Sequence, residues 1–154
     1  MSELEVTVLG AGDAFASGGR LQAGYVIEAD GAHILMEAGP TLLAGLKREQ
    51  FQVVLLDQKN KIIKDVMVSQ GSLTASVVHP REVFNLAIRD SAAAIICVHN
   101  HPSGDPQPSR EDRALTTRLG EAGRLLGIQV LDHIIVGRDT YMSFADEGLL
   151  DARG

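Results

Sequence analysis

The stretch His99-Asn100-His101-Pro102-Ser103-Gly104-Asp105-Pro106-Gln107-Pro108-Ser109-Arg110-Glu111-Asp112 decides how the rest of the chain is read. Ahead of it, Ala93 to Val98 is continuously apolar, as expected of a strand buried on both faces. Behind it, Ser109 opens a helix to about Leu126, in which Leu115, Leu119, Ala122 and Leu126 recur at helical spacing. Between them lies a loop, Asn100 to Pro108, rich in Pro, Gly, Asp and Ser. Residues two apart in extended chain point the same way, so the imidazoles of His99 and His101 can face one point. Asp112, in the first helical turn, can add a carboxylate, and Ser109 lies on the same helix face. Two imidazoles and a carboxylate are a familiar ligand set for zinc, and an open fourth position for water makes such a site catalytic. Ser109-x-x-Asp112 also has the form of a capping box, with Asp in place of the usual Glu or Gln. The joint pattern of His-x-His, a loop that can fold back and an Asp at a helix start favours a metal site.

Working outward, Glu5–Leu9, Ala23–Glu28 and Ala32–Met36 read as strands, with a glycine-rich turn at 10–19 and a hairpin signal at Asp30-Gly31. Thr41 is a candidate N-cap for a short helix through Arg48. Phe51–Leu56, Ile62–Val68 and Leu73–Val78 read as strands, the first two joined by a polar turn at 57–61. Pro80 suits the first turn of a helix to about Arg89, and His79 before it reads as a strand-end residue. Ile128–Val136 and Tyr141–Phe144 complete the pattern. Strands and helices mix without strict alternation, which predicts an α/β fold with a mixed sheet flanked by helices and a β-rich N-terminal extension.

Composition narrows the function classes. With 154 residues the chain can bury a core, and 45% hydrophobic with 22% charged residues excludes disorder, collagen and coiled coil as global descriptions. Aromatic residues are only 4%, with no Trp, so stacking platforms for single-stranded nucleic acid are hard to build. The net charge is −6; residues 1–48 carry three basic against six acidic side chains, and the remainder eleven against fourteen. Neither part has the basic surplus that phosphate neutralisation needs, which argues against direct nucleic-acid binding. The longest apolar run, Ala92 to Val98, is too short to span a bilayer, and no secretory signal is visible, so a soluble cytoplasmic protein is expected. Cys97 is the lone cysteine, which suits a reducing compartment. By alternation it points with His99, but it reads as a small buried hydrophobe. Within Asp132-His133, adjacent strand residues face opposite sides, so at most one can orient a ligand; structural hydrogen bonding is the stronger reading for each.

His99-x-His101, seven residues from Pro102 to Pro108, then Ser109-x-x-Asp112 resembles the JAMM motif of JAB/MPN-domain metalloproteases. The wider text is similar to the bacterial RadC-like branch through Phe51-Gln-Val-Val-Leu-Leu-Asp57, Val78-His-Pro-Arg-Glu-Val-Phe84, Val98-His-Asn-His-Pro-Ser-Gly-Asp105 and Leu131-Asp-His-Ile-Ile-Val-Gly137, covering about residues 49–154. The resemblance implies a zinc held by His99, His101 and Asp112 with water in the open position. It implies that Ser109 donates to that water or to a developing oxyanion, and that an upstream glutamate is the general base, a position matched by Glu49. The activity implied is zinc-dependent hydrolysis of a peptide or isopeptide bond. The alternative is a non-catalytic zinc-containing module linked to DNA metabolism or protein binding, or a chimeric chain without selected activity.

Residues 1–48 instead resemble the start of a metallo-β-lactamase-fold protein, through Val6-Thr-Val-Leu-Gly-Ala-Gly-Asp-Ala-Phe15 and Tyr25-Val-Ile-Glu-Ala-Asp-Gly-Ala-His-Ile-Leu-Met-Glu-Ala-Gly-Pro40. That family's His-x-His-x-Asp-His ligand segment is absent, and Glu37 stands where Asp is usual, so no activity carries over. Gly10-x-Gly12 is followed by Phe15 at the third glycine position, so the dinucleotide-binding fingerprint fails. The join near Arg48/Glu49 reads as a splice of two families. A fragment of a sandwich leaves strand edges that must be covered, so residues 1–38 are expected to pack on the core or to pair between chains as a homo-oligomer.

Overall fold

The computed structural model describes residues 5–9, 24–29, 32–36, 48–71, 78–137 and 140–150. The chain divides into two compact units between Lys47 and Arg48. In the first, β1 (Glu5–Leu9), β2 (Gly24–Ala29) and β3 (Ala32–Met36) form an antiparallel sheet in that order. Ala29 pairs with Ala32, the register expected of a two-residue hairpin. The glycine-rich turn at 10–19, the helix expected from Thr41 and the strand expected over residues 73–77 lie outside the described residues.

The second unit is a mixed five-stranded sheet with two helices. Its strands are β4 (Gln50–Leu56), β5 (Ile62–Gln70), β6 (Ala94–Asn100), β7 (Gln129–Val136) and β8 (Tyr141–Ser143), in the order β5-β4-β6-β7-β8. The helices are α1 (Pro80–Arg89) and α2 (Arg110–Leu126). Only β6 and β7 are parallel, and α2 is the crossover that such a pair requires. This is the α+β mixed sheet read from the sequence.

Burial follows the residue pattern. The apolar strand β6 is buried along its length except at Asn100, whereas the edge strand β5 alternates between part-buried and exposed positions. Phe51, Val53 and Leu55 of β4 and Ile95 and Cys97 of β6 share one core with Val83, Phe84 and Ala87 of α1 and Leu115 and Leu119 of α2, so both helices pack on one sheet face. Cys97 is fully buried there, and burial pushes its thiol pKa up, as expected of an inert core residue.

Two local readings are corrected. His79 is the N-cap of α1 rather than a strand end: its Nδ1 accepts from Arg81 N at 3.2 Å, and Pro80 takes the first helical position, where no N–H is needed. Val78 is buried but lies outside any strand. Leu126 is 48% exposed, not a core residue. The left-handed Gly127 (φ 70°) ends α2 and turns the chain back, so that Ile128 enters the core instead. Its carbonyl lies where a Cβ on Gly123 would meet it at 2.4 Å. Among the described residues no helix is long and apolar enough to cross a membrane.

Candidate metal centre

His99 is near the carboxyl end of β6, His101 directly follows the strand, and Asp112 is in the first turn of α2. A strand, its loop and the next helix therefore converge beyond the end of the parallel pair, where α/β sheets characteristically bind ligands. His99 Nε2 and His101 Nε2 are 2.9 Å apart. Asp112 Oδ1 lies 3.3 Å from His99 Nε2, and Asp112 Oδ2 lies 3.3 Å from His101 Nε2. Nitrogen and oxygen ligands about 2.0–2.1 Å from a tetrahedral zinc stand roughly 3.3–3.4 Å apart, so the two His–Asp separations match such a site and the His–His separation needs a few tenths of an ångström.

Hydrogen-bond accounting fixes the tautomers. Thr116 Oγ1 donates to the Asp112 carbonyl at 2.7 Å, which uses its only proton. Its 2.7 Å contact with His133 Nδ1 must then be a bond donated by His133. That leaves His133 Nε2 as an acceptor, and His99 Nδ1, 2.7 Å away, donates to it. His99 Nε2 is left with its lone pair toward the centre. His101 reaches the same state through Nδ1, which donates to the Asp105 carbonyl at 2.7 Å. Two imidazole lone pairs and a carboxylate thus face one point, an arrangement that only a cation, whether a proton or a metal, relieves. The donor set fits zinc.

The titration directions agree. The hydrogen bond with Asp112 raises the His101 pKa against the opposing effect of burial, and the Asp105 carbonyl and the charges of Asp112 and Glu49 add to the rise. Burial pushes Asp112 up, but the bond from Ser109 and the contacts with His101 and His99, which become bonds when those rings gain a proton on Nε2, outweigh it and hold the carboxyl well below the usual range. Burial, with the neighbouring His99, keeps His133 neutral. Phe51 stacks on His99 with ring centres 5.9 Å apart, and Phe144 stacks on His133 at 4.9 Å, so apolar walls hold the two buried rings.

Ser109 and Asp112 form a reciprocal capping box, and the same box presents the carboxylate. Ser109 N and Oγ both donate to Asp112 Oδ2 at 2.7 Å, while Ser109 Oγ accepts from Asp112 N at 3.1 Å. The cap and the orientation of the Asp112 carboxylate toward the two imidazoles are therefore one arrangement. Ser109's hydroxyl proton is directed at Asp112.

Glu49 is half-buried, just ahead of β4, and its charge reaches His101. Its carbonyl accepts from Gly71 N at 2.8 Å. Asp132 turns away from the centre and accepts from Ser143 Oγ at 2.6 Å, Ala145 N at 2.9 Å and His133 N at 2.7 Å. So in the Asp132-His133 dipeptide the histidine holds the ring of His99, and the aspartate ties β7 to β8 and the turn after it. Thr116 was missed: its signal was a β-branched hydroxyl one turn after Asp112 on the helix face turned to the sheet.

Residues 31–149 match the sequence profile of the RadC-like JAB domain. A UPF0758 protein of Geotalea uraniireducens is 62% identical over 104 residues, covering 68% of this chain and 46% of that protein. A UPF0758 protein of Syntrophotalea carbinolica is 60% identical over 104 residues, again 68% and 46% of the two chains. A UPF0758 protein of Methanosarcina mazei is 58% identical over 104 residues, covering 68% and 45%. The chain spans about half the length of the curated relatives it matches.

Proposed function

We propose, from the premise that this chain belongs to the RadC-like JAB domain family, that it is a zinc-dependent hydrolase that cleaves a peptide or isopeptide bond. The observation that carries this reading is the convergence of the His99, His101 and Asp112 ligand atoms on one point, with both imidazole lone pairs turned inward. His99, His101 and Asp112 would hold the metal. A bound zinc supplies Lewis acidity, polarising a carbonyl and lowering the pKa of water to about 7.

The rest is done by the chain. Glu49 takes the proton of the attacking water and returns it to the amine that leaves. Ser109, whose hydroxyl holds Asp112 in the resting state, turns that proton toward the oxyanion as charge develops. His133 and Thr116 keep His99 in the tautomer that can ligate. The acidic balance argues against a nucleic-acid partner, and the lone cysteine, Cys97, suits a reducing cytoplasm. The spliced origin proposed for residues 1–48 rests on the motifs quoted for it, and the family match begins upstream of that join, at residue 31.

The decisive experiment combines metal analysis with turnover of peptide and isopeptide libraries. One zinc per chain is expected, lost in His99→Ala and Asp112→Ala. Glu49→Ala should keep the zinc and lose about 10²–10⁴-fold in rate, the range of general acid–base catalysis. A zinc-loaded protein whose Glu49→Ala variant is as active as the parent sinks the assignment of the base. A purified chain that binds no zinc sinks the whole reading.

A further inference from the structure

Asn100 lies between the two imidazoles in sequence. Its side chain reaches the segment at the start of β4. The β4–β6 ladder ends with Phe51 opposite His99, one residue short of Asn100. There the Asn100 amide replaces the main chain. Oδ1 accepts from Gln50 N at 2.8 Å, and Nδ2 donates to the Arg48 carbonyl at 3.2 Å. These two bonds straddle Glu49. With the bond from Gly71 N to the Glu49 carbonyl, they tie the backbone on both sides of that residue and at it. A primary amide is suited to this task because it offers a donor and an acceptor on one short, planar group.

We propose that Asn100 is the positioning residue that holds Glu49 toward the metal centre, coupling the candidate base to the His99–His101 ligand segment through one side chain. This rests on Glu49 being the base proposed above. Any shift of β6 that moves the imidazoles moves Glu49 with them, so their separation is kept while the sheet flexes.

The test uses the full chain loaded with Co²⁺, whose paramagnetism shifts the NMR signals of nearby nuclei according to position. In the parent protein the Glu49 side chain should give one shifted set of signals. In Asn100→Ala these should move or broaden, while those of the Ser109 amide stay in place. The Gln50 amide should exchange with solvent about tenfold faster, a change of about 1.4 kcal/mol. Metal stoichiometry should stay at one per chain. Turnover should fall about 10–100-fold in kcat with KM little changed, since misplacement by about 1 Å can cost that much. The double variant Glu49→Gln/Asn100→Ala should be no slower than Glu49→Gln alone.

Unchanged Glu49 shifts in Asn100→Ala overturn the proposal whatever the activity. So does a double variant that loses the full product of the two single effects. Should Asn100→Ala fail to fold, the near-isosteric Asn100→Asp keeps the acceptor for Gln50 and loses the donor to Arg48, and the same signals decide. An inactive protein with intact Glu49 shifts that move in Asn100→Ala would remove the assignment of the base and leave the clamp standing.

Discussion

Replacing Thr116 by Val removes one oxygen from the interior and leaves the β-branched shape. Thr116 Oγ1 is the terminus that forces His133 to donate from Nδ1, and through it forces His99 to present a bare Nε2. Without that oxygen His133 has two choices. It can keep its proton on Nδ1, buried and unmatched, at a cost of about 1–3 kcal/mol. Or it can move the proton to Nε2 and donate to His99, which puts the His99 proton on the nitrogen that should ligate. The metal-free protein takes the cheaper second form, and zinc binding must then reverse it. The same 1–3 kcal/mol therefore appears in the binding constant as a loss of about 5–150-fold, in line with the roughly 10–100-fold typical of outer-shell partners. Folding stability of the metal-free protein should fall by only about 0.5–1.5 kcal/mol, the net worth of the lost bond to the Asp112 carbonyl. Competition against a fluorescent zinc chelator at neutral pH measures the first quantity, and urea denaturation in excess chelator the second. Thr116→Ser should recover most of the affinity. A folded Thr116→Val protein that binds zinc within about threefold of the parent would refute the tautomer reasoning, because a buried mismatch of about 1–3 kcal/mol could not then be present.

Three further outcomes are expected. In Gly137→Ala the new Cβ would stand 2.4 Å from the Gly104 carbonyl and 3.0 Å from Pro106 Cδ, so the loop that carries the Asp105 carbonyl must shift. Denaturation midpoints should show a loss of about 1–3 kcal/mol, with zinc affinity falling as His101 loses its brace; an unchanged affinity counts against that brace. The pKa of His101 is raised above its unfolded value of about 6.5, so its contribution to metal-free stability is complete below that pH and is lost as pH rises through the raised value. His133 is depressed and has the opposite sign, its contribution being complete above about pH 6.5 and lost as pH falls. Zinc must displace the His101 proton, so affinity should fall about tenfold per pH unit once pH drops below the raised value; chelator competition across pH 5.5–8.5 checks this, and a flat profile contradicts it.

Much of this was legible because it depends on local pattern. The run Ala93–Val98, the His-x-His spacing and Ser109-x-x-Asp112 each fix geometry within a few residues, and they placed the sheet centre and brought His99, His101 and Asp112 together. What escaped depends on partners far apart in sequence. Whether His133 or Asp132 reaches His99 is decided by which of two adjacent strand residues faces α2, and a register shift between β6 and β7 at Ile95/Ile96 sets that. Asn100 reads as a loop residue until β4 is laid beside β6. Leu126 fits the apolar stripe of its helix, yet the sharp reversal at Gly127 gives its core place to Ile128. His79 could not be read as a cap without knowing that the backbone there is extended and the next residue already helical. The two halves of the capping-box question were never alternatives, since a carboxylate that caps a helix is also one whose orientation is fixed.

The bonds running from His99 through His133 to Thr116 do not end in solvent; they return to the carbonyl of Asp112, whose carboxylate faces His99 and His101. Each link passes its proton in the same sense, and that sense originates at a helix carbonyl, a group that cannot be protonated, rotated or exchanged by mutation. The circuit therefore has a polarity written in the main chain. At position 116 evolution is free to vary size only among side chains that can both give a proton to that carbonyl and receive one from an imidazole, so the constraint on this residue is one of direction before it is one of strength.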